Sequence, residues 1–150
     1  MQYYEDVELN KWHKSRSYYV DKAELIAFAR QWDPQPFHVD EEEAKKWPTG
    51  LIGTSVHSYA ILTKLLTEVS LGDDPLAMVA GMGIDEWRMP NPLRPGDNVY
   101  AVSYVEAKRE SASKPNMGIL TCVAKLLNQK DEVILSYKSN GLILKRPSQT

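Results

Sequence analysis

Cysteine is nearly missing from this chain: Cys122 stands alone among 150 residues. No internal disulfide can form, which fits a reducing compartment, and its place in an apolar run predicts a buried structural thiol rather than a nucleophile. Excess positive charge is missing too. The 18 Lys and Arg residues are outnumbered by 20 Asp and Glu, for a net charge of −2, and they are scattered rather than striped. That argues against a nucleic-acid interface. No apolar run approaches the roughly 18 residues of a membrane helix, and the first residues show no basic-then-apolar leader pattern, so a soluble cytoplasmic protein is the expectation. Low-complexity segments and internal repeats are lacking. Residues 1–150 suit one ordinary domain with a core large enough to need no metal or disulfide. His38, Asp40 and Glu41 have no second histidine at a ligand spacing, so no metal site is expected and the acidic run reads as solvated charge.

What is present is concentrated in one hexapeptide: Asp33, Pro34, Gln35, Pro36, Phe37, His38. Two prolines fix their own φ angles and bias Asp33 and Gln35 away from helical geometry, which predicts a stiff, extended loop. A carboxylate and an imidazole can share acid/base work on one water only if both are held toward it. Residues 21–32 precede the loop as a short amphipathic helix, with Leu25, Phe28, Ala29 and Trp32 at helical spacing and Asp21 with Glu24 as a capping-box start. A short charged helix over 41–46 follows it.

From about Thr54 to Ser70 the chain is mostly apolar without Pro or Gly. Leu62, Leu65, Leu66 and Val69 fall on one side, and Val56, Tyr59, Ala60 and Thr63 on another; a helix apolar on more than one face is expected to be buried. Gly72, Asp73, Asp74 and Pro75 should end it. Strand-like segments follow at 76–89, 97–109, 117–127 and 132–144, the last two joined through a turn at 128–131, with an earlier strand around 14–20. About five antiparallel strands and one main helix make an α+β domain. An open sheet edge invites pairing with a second copy.

The hexapeptide, followed by Ala44, resembles the signature of the MaoC-like dehydratase and (R)-specific enoyl-CoA hydratase family of hot-dog proteins. The resemblance extends through Gly50, Leu51, Ile52 and through the turn Pro92 to Asp97. Gln35 stands where the family usually has Asn, Trp32 where Gly often precedes the acid, and Ser55 where it usually has Gly. The resemblance implies a hot-dog fold, a sheet wrapped around one long helix, and a homodimer or higher homo-oligomer. It implies a hydro-lyase acting on a 2-enoyl thioester of coenzyme A or an acyl carrier, with no cofactor beyond that carrier. In that reading Asp33 and His38 hold the water, and amides near Thr54 and Ser55 at the helix start receive the thioester oxygen. Thr63 matches a family hydroxyl, and is either packing or a contact to the catalytic loop. His57 reads as structural or pocket-lining, and His13 has no role.

Two other classes share the fold. A thioesterase would need a carboxylate on or just before the central helix, where only Glu68 is found, near the far end; a non-catalytic acyl-thioester-binding subunit would keep the fold without turnover. Tyr59, Met78, Trp87 and Met89 are either core or lining of an acyl tunnel. Arg88, Arg94, Arg109 and Lys114 are either solvated or contacts to coenzyme A phosphates.

Overall fold

The computed structural model describes residues 1–70 and 74–148. The expected stop at Gly72 and Asp73 lies outside them. Ten elements follow a 3₁₀ turn at Tyr4–Asp6: β1 His13–Lys14, β2 Tyr18–Tyr19, α1 Lys22–Trp32, α2 Pro36–Val39, α3 Glu41–Ala44, α4 Ser55–Ser70, β3 Met78–Arg88, β4 Asn98–Glu110, β5 Met117–Leu127 and β6 Val133–Leu144. All strand pairs are antiparallel, in the order β1-β4-β5-β6-β3, with β2 also on β4. The strand expected around residues 14–20 is two short pieces that pair separately along β4, at His13 opposite Ser103 and Tyr18 opposite Val99. No helix of the described residues is long and apolar enough to cross a membrane.

The sheet packs on α4. Ile61, Leu62 and Leu65 of that helix are buried against Leu93, Val99, Ala101, Leu126, Ile134 and Leu135. Tyr59, Trp87 and Tyr137 add an aromatic cluster with centroids 5.3 to 6.0 Å apart, a geometry that favours edge-to-face and offset contacts. α4 is not covered all round, as the apolar pattern had suggested: Val56, Ala60, Thr63 and Thr67, at helical spacing, are exposed. β3, the last strand, is exposed along nearly its whole length, with Met78, Val79, Met82 and Ile84 among the exposed apolar residues.

α1 begins as read: the Asp21 carboxylate accepts from the Glu24 amide at 3.0 Å, and Leu25 and Ala29 are fully buried. Glu24 does not complete the box; its side chain turns to Tyr18 instead, accepting from the phenol at 2.5 Å. Trp32 lies off the buried face and is exposed. Cys122 is half-buried rather than buried, in a cleft of about 620 Å³ that Tyr59, Thr63, Leu66, Met78 and Tyr104 also line. Desolvation pushes its thiol above the ordinary range.

Candidate functional site

Asp33 is the C-cap of α1, its amide closing the last turn on the Ala29 carbonyl at 2.8 Å. The next residues are not the extended loop expected. Gln35 is extended, at φ −69° and ψ 145°, but Pro36 then opens the one-turn helix α2, which carries His38. Pro at a helix start gives up no hydrogen bond and supplies the right φ, so the second proline brings the imidazole round by a turn toward the carboxylate.

His38 is buried, and its Nδ1 lies 2.7 Å from the Ile52 carbonyl. A carbonyl only accepts, so Nδ1 carries the proton and, in the neutral ring, Nε2 is a bare acceptor. That Nε2 is 3.7 Å from Asp33 Oδ2, beyond a direct hydrogen bond. The other carboxylate oxygen, Oδ1, accepts from Gln35 Nε2 at 2.9 Å. Two acceptors therefore face each other at a separation short enough for one water to bridge by donating a hydrogen to each. A water held in that way would turn its lone pairs away from both.

Ile52 leads into the start of α4. Gly53 donates to the Leu93 carbonyl at 2.7 Å. A side chain on Gly53 would stand 2.9 Å from Leu93 Cδ2 and 3.2 Å from Leu25 Cδ1, so glycine is what lets the three segments meet. Asp97, buried in the Pro92–Asp97 turn, accepts from the Arg94 amide at 2.9 Å, one residue after Leu93. Thr54, also buried, takes the N-cap position: its hydroxyl accepts from the His57 amide at 2.9 Å and its carbonyl from the Ser58 amide at 3.1 Å. Such a cap satisfies one of the orphan donors of the first turn. The amides of Ser55 and Val56 meet no protein acceptor among the described residues, as is usual in the first turn of a helix.

The expected site residues thus fall into two groups. Asp33 and His38 face each other, and the Ile52 contact ties His38 to the stretch that ends in Thr54 and Ser55. Thr63 lies two turns further along α4, exposed, in the cleft whose lining includes neither Asp33 nor His38. Tyr59 and Met78 line that cleft as well, Trp87 sits in the aromatic cluster, and Met89 is exposed. Arg94 donates to the Thr49 carbonyl at 2.7 Å. Glu68 is paired with Arg16 at 2.7 Å and lies 3.5 Å from Lys64. Sequence reasoning did not find the Ile52 carbonyl or the Gln35 contact; Gln35, two residues from the acid, was the one with a readable signal.

The chain matches the family described as "MaoC like domain" over residues 6–124. It is 32% identical over 132 residues to the uncharacterized protein YdeM of Bacillus subtilis (strain 168), covering 87% of this chain and 90% of that one. Among solved structures it is similar to a MaoC-like dehydratase from Rhodospirillum rubrum, with 35% identity, a TM-score of 0.87 and coverage of 99% and 100%. It also shares its fold with the (R)-hydratase of A. caviae, at 23% identity, a TM-score of 0.70 and coverage of 94% and 98%. A sheet wrapped on one helix, an acid and imidazole ahead of that helix, and these similarities have one outcome: the chain is a hot-dog protein that belongs to the MaoC-like domain family.

Proposed function

We propose that this protein is a hydro-lyase that reversibly hydrates a 2-enoyl thioester, carried on coenzyme A or an acyl carrier, to the 3-hydroxyacyl thioester. The observation that carries the reading is the 3.7 Å gap between Asp33 Oδ2 and His38 Nε2, with Nδ1 occupied by the Ile52 carbonyl. The held water gives a proton to Asp33 as its oxygen bonds to the β-carbon. The double-bond electrons move toward the thioester oxygen, which the free amides of Ser55 and Val56 receive. A proton returned through the Asp33–His38 pair to the α-carbon completes the addition of H and OH. Dehydration is the reverse. No metal or further cofactor enters this scheme.

The expected assembly is a homodimer or larger homo-oligomer, supported by the outer edge of β3, which no strand of the described residues pairs with, and by the exposed face of α4 at Val56, Ala60 and Thr63. An edge strand bearing exposed methionine, valine and isoleucine is a template for pairing. Glu68, held by Arg16 beyond the middle of α4, speaks against a thioesterase that would use it.

The test is a panel of enoyl-CoA and carrier-bound enoyl substrates of varied chain length, followed by loss of the conjugated thioester absorbance. Turnover by wild type and a fall of about a hundredfold or more in Asp33→Asn and in His38→Ala, each still folded, are the expected results. Acyl-CoA binding by calorimetry without turnover on any substrate would replace this reading with a binding subunit.

A further inference from the structure

One cluster of titratable side chains has no part in holding the water, yet it lies between the two elements that build the site. His57, in the first turn of α4, is 3% exposed. Its ring lies flat on Phe28 of α1, with centroids 4.3 Å apart and planes 8° apart. Its Nε2 is 3.8 Å from Glu24 Oε1, and the same oxygen accepts from the Tyr18 hydroxyl. Glu24 and Phe28 are four residues apart on α1 and so share one face. His57 Nδ1 is, among the described residues, a buried side-chain nitrogen with no hydrogen-bond partner. A ring buried with Nδ1 unpartnered, and with Nε2 facing a carboxylate at a distance beyond a direct hydrogen bond, is poor material for a core. An apolar side chain would pack there at less cost, so the imidazole calls for a role that packing does not explain.

The two halves of the site reach α4 by different routes. His38 is tied through its Nδ1 to Ile52, just ahead of the free amides. Asp33 is not; it caps α1, and its place relative to those amides follows from how α1 sits on α4. Apolar contact alone, as between Leu25 and the Gly53 stretch, tolerates small slides. A ring stacked flat on Phe28 with its Nε2 facing the Glu24 carboxylate restricts such slides, and a misplacement of an ångström costs catalysis heavily.

We propose that His57, seated on Phe28 and turned toward the Tyr18-bound Glu24, is a positioning residue that fixes α1 against the first turn of α4 and so holds Asp33 in register with the oxyanion amides. The inference rests on the hydratase reading. It touches no substrate atom, so its loss shows in turnover rather than in binding.

The experiment compares wild type with His57→Leu, His57→Gln and Glu24→Ala. Leu fills the space without a donor, Gln restores a donor near the reach of Nε2, and Glu24→Ala removes the partner from a half-exposed position without opening the core. Expected are a fall in kcat of tenfold or more for His57→Leu and Glu24→Ala, KM and calorimetric affinity for a 3-hydroxyacyl-CoA within threefold of wild type, and recovery of most of kcat in His57→Gln. Wild-type kcat in Glu24→Ala, or a His57→Gln variant as slow as His57→Leu, overturns the inference while the hydratase reading stands. If His57→Leu does not fold, Glu24→Ala and His57→Gln still decide it. Inactivity of wild type on the whole substrate panel sinks the hydratase reading instead.

Discussion

The side-chain amide of Gln35 donates to Oδ1 of Asp33 across 2.9 Å, which leaves Oδ2 as the oxygen that faces His38. One contact made between near neighbours in the chain thus selects the carboxylate oxygen turned to His38, where the proposed mechanism places the water. Gln35→Leu removes the donor and frees the carboxylate to rotate, and kcat/KM should fall about tenfold, the scale of one hydrogen bond to a partly exposed charged group. Gln35→Asn keeps a donor and should lose less than Leu does. Equal losses in the two variants, measured on one enoyl thioester, would show that the amide does not position Asp33.

In the proposed mechanism Asp33 and His38 act on one water, so their removal should not multiply. The Asp33→Asn/His38→Ala double variant should be no more than about tenfold slower than the worse single variant, although each alone loses about a hundredfold. Single-turnover rates for all four proteins give the answer directly, and full multiplicativity would mean that the two residues serve separate steps.

At the helix start, backbone and side chain separate cleanly. Ser55→Gly keeps the free amide and should retain activity within roughly tenfold. Thr54→Ala removes the acceptor for the His57 amide and should lower unfolding free energy by about 1 kcal/mol, the usual cost of losing a cap, while Thr54→Ser should restore it. Urea unfolding of the Thr54 variants and turnover of the Ser55 variant are the measurements.

Burial holds His57 below the ordinary histidine range of about 6.5, with Glu24 opposing that shift. As pH falls through the unfolded value, the unfolded chain takes up a proton that the folded chain refuses, so stability should decline as pH drops below about 6.5 and until the folded value is reached. The slope from this one group cannot exceed about 1.4 kcal/mol per pH unit. Urea midpoints at pH 7.5 and 5.5 should therefore differ more in wild type than in His57→Gln; an identical pH dependence in the two would assign the acid sensitivity elsewhere.

The β3 edge offers a separate test of assembly. Lysine at Val79 and Met82, both about half exposed, places charge on the strand that a second copy would pair with, and charged edges block pairing. Sedimentation should show a dimer or larger species for wild type and a shift toward monomer for Val79→Lys/Met82→Lys. An unchanged mass would move the interface away from β3.

The long elements were legible because their signals are local. Proline-free apolar residues from Thr54 to Ser70 marked α4 within one residue, and β5 falls at 117–127 as read. The prolines of the hexapeptide misled in one respect. Each restricts the residue before it, but Pro36 also opens a helix, and the local rule that makes a stiff loop equally makes an N-terminal turn. The Glu24 side chain followed the same logic: a capping-box spacing is a local signal, and the competing Tyr18 hydroxyl is visible only once β2 is laid beside α1. Trp32 fits the helical spacing of the apolar residues, yet the buried face of α1 is set by Leu25 and Ala29, and at the last turn it has already rotated away.

The acceptor that sets the protonation pattern of His38 is a main-chain atom, the Ile52 carbonyl. Position 52 can therefore change its side chain without changing which ring nitrogen is left bare, since every residue type offers the same oxygen. The tautomer is written in the path of the chain between α3 and α4 rather than in any one letter of the sequence. Shifts of that path, by an insertion or deletion between Lys45 and Gly53, are the changes that would reverse the imidazole's role while leaving every residue of the acid–imidazole signature intact.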